Sequence, residues 1–306
     1  MSEKELLSVR GLSIGFDMYR KGTKKEVLQV ITDLHVTVNR GEIVAIVGSS
    51  GSGKSVLADA VLGLSPANAV IEGEICYKGE PLTEERLKAY RGREIAYVPQ
   101  SVLNLDPMMK VGKQVTGLYG KEEDRKRLFR KYNLKEEVKD CYPHQLSGGM
   151  TRRVLNIGAV INDAELIIAD EPTPGLSEDQ AEQLMKDFRS IASDGCGILL
   201  ITHDINLAIE HADKIAVFYA GTTLETAPAS DFRDGENLLR HPYSKALWRA
   251  LPQNGFHSTP GIQPYAGTVK TGCVYAARCP LFSDQCKGDI DTRSVRQGEV
   301  KCVHAT

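Results

Sequence analysis

Hydrophobic positions change period several times along the chain. Leu34, Val36 and Val38 alternate with polar residues, which predicts a strand with one buried face. Glu42–Gly48 (EIVAIVG) is almost continuously apolar, as in a strand of a parallel sheet buried on both faces. A Gly/Ser-rich turn follows, and helical spacing resumes over Val56–Leu64. Ile95–Pro99 predicts another short strand. Leu166–Ala169 (LIIA) and Gly197–Ile201 (GILLI) predict two more buried strands, followed by helical patterns at Glu178–Ser193 and Ile205–Ala212. Strands alternating with helices imply an α/β layer fold with a parallel core. Residues 121–140 contain 14 charged residues in 20, with Leu128, Phe129, Tyr132, Leu134 and Val138 among them. That pattern predicts a helical region with one packed face and its charges on a solvated surface.

The pattern weakens after Ala227, and a boundary is expected near Ala229, dividing the chain into residues 1–228 and 229–306. Residues 253–306 hold only ten Ile, Leu, Val or Phe, too few for an independent core, so a staple is expected. Cys273, Cys279, Cys286 and Cys302 fall in the last 34 residues, whereas Cys76, Cys141 and Cys196 are scattered. In a chain without a signal peptide such a cluster argues for metal rather than disulfides. The start, MSEKELLSV, has no apolar leader core, and no apolar run approaches the ~18 residues of a membrane span, so a cytoplasmic location is expected. Lys+Arg total 38 against 40 Asp+Glu, a formal charge of −2, which excludes a nucleic-acid binder held by bulk charge. There is no internal repeat.

Gly48-Ser49-Ser50-Gly51-Ser52-Gly53-Lys54-Ser55 fits G-x-x-x-x-G-K-[ST] between a strand and a helix. Glycines there let backbone N–H groups close around phosphate oxygens, and the helix N-terminus adds partial positive charge. Lys54 is suited to the β- and γ-phosphates of ATP and Ser55 to Mg²⁺. Leu166–Glu171 (LIIADE) is an apolar strand ending in two carboxylates. Asp170 would complete the Mg²⁺ shell, and Glu171 would accept a proton from the attacking water. His203 ends another apolar strand. Leu146-Ser147-Gly148-Gly149-Met150, before the helical Arg152–Val160, forms a second anion site at a helix N-terminus. One nucleotide cannot readily use both sites of one chain unless they lie close together. Two copies head to tail would satisfy both.

In this order the motifs resemble the ATP-binding cassette (ABC) family over roughly residues 6–228. The resemblance implies a parallel core sheet, an antiparallel β subdomain and a helical lid at about 101–160, with two cassettes sandwiching two ATP molecules. By position, Gln100 would touch Mg²⁺ and sense a membrane partner. Leu146, Ser147, Gly148, Gly149 and Met150 would face ATP on the opposite cassette. Phe16 stands where the family places an adenine-stacking aromatic; Tyr19 is the second candidate and a plain core role for Phe16 the third reading. Two departures stand out. Met150 replaces the usual Gln, and Pro174-Gly175-Leu176-Ser177 puts a serine where an aspartate normally links the two sites. The second departure favours a non-identical partner cassette.

His241-Pro242-Tyr243-Ser244-Lys245-Ala246-Leu247 and the GCVYAARCP stretch resemble the extension of the dipeptide, oligopeptide and nickel importer branch, where such a tail can hold a [4Fe–4S] cluster. Read independently, C-x5-C-x6-C-x15-C supplies four thiolates, enough for a cubane cluster or a tetrahedral zinc, although paired zinc knuckles are absent. Unliganded thiols are the remaining reading. His304 is a spare ligand or a surface residue. The metal is expected to be structural, so its loss should loosen the tail and leave a distant phosphate loop able to bind ATP.

An importer of this branch implies two permease subunits, a second ATPase subunit, an extracytoplasmic substrate-binding protein and a peripheral location on the cytoplasmic membrane face. An exporter motor would more often carry spans or lack the HPYSKAL tail. A soluble translation or repair cassette would usually carry two cassettes or a long insertion. A metabolic P-loop kinase does not explain LSGGM or His203. Cassettes do not touch cargo, so di- or oligopeptides stand beside nickel or a metal–chelator complex as substrates.

Overall fold

The computed structural model describes residues 5–19, 25–49 and 51–306. Among these the strands are β1 (Glu5–Tyr19), β2 (Lys25–Asn39), β3 (Ile43–Gly48), β4 (Ala69–Tyr77), β5 (Glu80–Pro81), β6 (Ile95–Val98), β7 (Leu166–Asp170), β8 (Gly197–Thr202), β9 (Lys214–Tyr219), β10 (Thr222–Pro228), β11 (Arg293–Val295) and β12 (Gly298–Val300). The helices are α1 (Lys54–Leu62), α2 (Glu84–Tyr90), α3 (Val111–Thr116), α4 (Glu122–Lys131), α5 (Gly148–Val160), α6 (Glu178–Ser193), α7 (Ile205–His211), α8 (Ala229–Asp234) and α9 (Pro242–Arg249). They form two compact units: Met1–Val38, Val44–Pro81 and Thr202–Thr306 make one, and Asn39–Ile43 with Leu82–Ile201 the other.

In the first unit, β3 pairs in parallel with β9, from Val44↔Lys214 to Gly48↔Phe218. β9 continues into antiparallel β10, then β12 and β11. A separate four-stranded sheet runs β2-β1-β4-β5, with antiparallel β1–β4 and β4–β5 pairs. Every residue of β3 is buried. Burying a large aliphatic side chain yields about 1.5–3 kcal/mol, which offsets the ~1–2 kcal/mol of backbone entropy lost per residue. The α1 helix starts two residues before the apolar period does. It ends at Gly63, whose φ of 62° closes it with an N–H to the Ala60 carbonyl.

In the second unit, β6, β7 and β8 pair in parallel. The lid region carries α3, α4 and α5. Leu128, Phe129, Tyr132, Leu134 and Val138 are all buried, as their spacing predicts. The solvated reading of the surrounding charges fails at one residue. Arg125 has 1% of its side chain exposed, lies over the Phe129 ring, and is ion-paired with Glu122 and, at 2.8 Å, Glu136. Its aliphatic stem extends the packed face while its head keeps two carboxylates.

Glu225 and Thr226 of β10 pair with Val300 and Glu299 of β12, so the extension belongs to the first unit's sheet. The buried carboxylate of Glu225 accepts from the Arg240 N–H at 2.9 Å, the His241 N–H at 2.8 Å and the Arg240 guanidinium at 3.2 Å. That guanidinium also meets Asp231 at 2.8 Å and the Val295 carbonyl at 2.7 Å. Much of the stapling is therefore polar.

Candidate nucleotide site

The first unit carries the phosphate loop. It leaves β3 at Gly48, where a Cβ would lie 2.4 Å from the Phe218 carbonyl oxygen, so only glycine lets the loop turn against β9. Gly53 has φ +93°, and a Cβ there would lie 2.9 Å from Ile31 Cγ1. Lys54 opens α1 and is 7% exposed; its Nζ donates to the carbonyls of Gly48 at 2.8 Å and Ser49 at 3.1 Å. The ammonium thus sits on the loop it would have to share with a phosphate. Ser52 is fully buried, Ser55 half-buried and Gly51 exposed. Ser50 lies outside the described residues. Phe16 is half-buried near the end of β1, and Tyr19 is 70% exposed. His203 is exposed, just past β8.

The second unit carries the carboxylates and the signature. Asp170 ends β7 and is 1% exposed. Glu171 follows with φ 45°, the left-handed region that a non-glycine residue enters at a cost of about 1–3 kcal/mol. Its N–H is held by the Ile201 carbonyl at 2.8 Å. β8 thus holds the residue after a buried aspartate in a strained conformation. Motif reading does not disclose it.

Ser147 is the N-cap of α5; its hydroxyl accepts from the Met150 N–H at 3.3 Å. Ser147 and Gly148 are exposed, and a Cβ on Gly148 would meet nothing within 4 Å. This chain's own packing does not demand glycine there. Leu146, Gly149 and Met150 are half-buried. Ser177 supplies the first residue before α6, its N–H donating to Gln180 Oε1 at 3.3 Å, so the serine has a local capping role.

Motif reading also missed Arg152. It is 5% exposed and its guanidinium donates to the carbonyls of Pro99 at 2.8 Å and Gln100 at 2.5 Å. Burial lowers its pKa, and the nearby charges of Glu171 and Asp170 oppose that shift. One cation therefore joins the signature helix, the backbone of Gln100 and the carboxylate end of β7.

A model described as ABC transporter matches residues 31–174, and one described as the C-terminal region of oligopeptide/dipeptide transporters matches residues 224–286. The oligopeptide transport ATP-binding protein OppD of Lactococcus lactis subsp. cremoris is 32% identical over 96% of this chain and 91% of its own length. The chain belongs to the ABC family of oligopeptide and dipeptide transport ATP-binding proteins. The dipeptide transport ATP-binding protein DppD of Haemophilus influenzae is 33% identical over 97% of this chain and 94% of its own length. A solved ATP-binding subunit of an ABC transporter superposes with a TM-score of 0.62 at 28% identity, covering 75% of this chain and 92% of that one. A dimeric cassette solved in a post-hydrolysis state with ADP and Pi reaches a TM-score of 0.63 at 27% identity, over 73% of this chain and 99% of that one. The cassette is thus an ATPase. Among the described residues, no helix is long and apolar enough to cross a membrane.

Proposed function

We propose that this cassette is the ATP-hydrolysing subunit of a transporter that imports di- or oligopeptides. The observation that carries the reading is the near-full-length match to peptide transport ATP-binding proteins, extension included. The relatives' names speak for peptides over nickel or a metal–chelator complex.

In this reading residues 1–228 are the ATPase domain and 229–306 its extension. Phe16 stacks on adenine, Gly48–Ser55 hold the phosphates, and Glu171 is the general base, with His203 and Gln100 completing the reaction centre. Ser55, Gln100 and Asp170 offer a hydroxyl, a side-chain carbonyl and a buried carboxylate. That all-oxygen set suits Mg²⁺, which when bound neutralises charge on the β- and γ-phosphates. Leu103, Met108 and Leu118, at 86%, 84% and 90% exposure, follow Gln100 in the lid and offer apolar surface to two permease subunits. These would hold the cassette at the cytoplasmic membrane face, with an extracytoplasmic substrate-binding protein beyond.

The open backbone at Gly148 and the serine at position 177 support a second, non-identical cassette that completes each site. Expressed alone, the chain should be largely monomeric with weak ATPase activity. Co-expression with a different cassette and two permeases should raise turnover at least tenfold, because each site then gains the other chain's signature. Robust, cooperative ATPase activity from the chain alone would sink the heteromer.

The four tail cysteines fit a [4Fe–4S] cluster. Burial raises the thiol pKa of Cys273 to about 11, with Cys302, Cys279 and Cys286 adding to the shift, and raises those of Cys279 and Cys302. Thiols gathered in this way favour deprotonation only with a cation among them. The Cys273 N–H donates to the Cys286 carbonyl at 2.9 Å, pinning two of the ligand positions together. Among the described residues, no three of these sulfurs lie within 4.8 Å of one another. Tetrahedral zinc at ~2.3 Å from each sulfur would need them about 4 Å apart, whereas a cubane cluster is larger. His304 is bonded to Ser283 through Nε2 at 2.9 Å. Protein purified without oxygen should contain about four irons per chain and absorb broadly in the visible. Stoichiometric zinc without iron would replace the cluster; four freely alkylated thiols would remove any metal.

A further inference from the structure

We infer that Tyr243 and Gln263 of the extension are positioning residues of the phosphate loop, through which the cysteine-bearing segment sets nucleotide affinity. The inference rests on the reading of Gly48–Ser55 as the ATP site. Its starting point is Ser49, the second residue of that loop, whose hydroxyl donates to Gln263 Oε1. The Tyr243 hydroxyl also interacts with the Ser49 side chain. The same residue's carbonyl holds the Lys54 ammonium at 3.1 Å. Two side chains of the extension therefore bear on the residue that parks the phosphate-binding lysine. The expectation that the phosphate loop is remote from the tail does not survive this contact.

Behind Ser49, two paths run to the cysteines. Tyr243, 7% exposed, packs against Tyr219 with ring centroids 4.5 Å apart and against Tyr275 at 5.3 Å. Tyr275 is 1% exposed, lies between Cys273 and Cys279 in sequence, and meets Tyr219 edge-on at 5.4 Å. Tyr219 ends β9, the strand whose Phe218 carbonyl walls Gly48. The second path starts at Arg278, the neighbour of Cys279. Its guanidinium donates to the carbonyls of Thr259 at 3.0 Å and Pro260 at 3.1 Å, which fixes the segment leading to Gln263. Close-packed rings transmit displacement rather than absorb it. A shift of the cysteine segment therefore reaches Ser49 by both paths.

The test measures nucleotide affinity on the full chain and steady-state kinetics on the assembled transporter. Gln263→Ala should raise KM for ATP, and the dissociation constant of a fluorescent ATP analogue, about three- to tenfold, the loss expected for one hydrogen bond. Its kcat should stay within about twofold, because the reacting atoms are untouched. Ser49→Ala should raise KM at least as much, since it removes the Gln263 and Tyr243 contacts together, and adding Gln263→Ala to it should raise KM no further. Ser49→Thr, which keeps the hydroxyl, should restore affinity. Tyr243→Phe guards against misfolding by removing a single oxygen, and should raise KM likewise. Arg278→Ala should weaken nucleotide binding in the wild-type background but not in Gln263→Ala, Tyr243→Phe. An unchanged KM in Gln263→Ala, additive effects with Ser49→Ala, or an Arg278→Ala effect that persists without both contacts would each overturn the inference. Lys54→Ala separates the two levels. If it binds ATP normally, the site reading fails; if it loses ATP while Gln263→Ala is unaffected, only the role of the extension fails.

Discussion

Glu171→Gln in the assembled transporter should bind ATP–Mg²⁺ normally and hydrolyse it at least a hundredfold more slowly. General-base assistance is worth ~10²–10⁴ in rate, and the amide keeps the shape while losing the basicity. The backbone supports the proposal that this carboxylate, and not Asp170, is the base. Asp170 is buried at the end of β7, where a carboxylate belongs to a cation. Glu171 is half-buried and turned out of the strand by φ 45°, with its N–H tied to Ile201. Lys54→Ala should behave differently and weaken nucleotide binding itself. Single-turnover hydrolysis with bound radiolabelled ATP distinguishes the two. Wild-type turnover in Glu171→Gln would take the base role from this residue.

The second large effect is expected far from the reaction. Arg240→Ala should destabilise the extension by about 3–5 kcal/mol, because it leaves the Glu225 carboxylate buried without its cation. Replacing both partners with apolar residues of similar size should cost much less. Limited proteolysis of residues 229–306, or the denaturant midpoint, reads the difference; equal losses in the single and double variants would contradict the pair's role. The neighbouring His241 adds a pH dependence. Complete burial lowers its pKa to about 3, against about 6.5 unfolded, so the unfolded chain binds the extra proton. The extension should keep its full stability above about pH 6.5 and lose it progressively as pH falls from there towards 3.

What could be read ahead of the structure follows from range. The β7 and β8 strands, α6 and the phosphate loop are written in consecutive residues, and each was legible to within a residue or two. Gly63 shows how small the remaining error is: a left-handed glycine ends α1 where periodicity alone ran on to Leu64. The candidate site was legible as motifs and illegible as geometry. The left-handed backbone of Glu171 depends on β8, some thirty residues away, and Arg152 acts through carbonyls 52 and 53 positions distant. Arg125 looked like one more surface charge because burial of a charge depends on where its partners fold. The extension was the least legible part. Its apolar count called for a staple, but that count cannot weigh a buried Glu225–Arg240 pair, a strand added to a sheet, or three tyrosines meeting from positions 219, 243 and 275.

The central claim is that ATP hydrolysis by this cassette drives peptide import. The most direct measurement is uptake of a labelled peptide series into proteoliposomes carrying the complete transporter, with ATP sealed on the cassette side and the binding protein outside. Accumulation should require ATP, persist with a wild-type cassette, and vanish with Lys54→Ala or Glu171→Gln. Peptide accumulation that survives Lys54→Ala, or ATP-driven uptake of nickel with none of any peptide, would contradict the account.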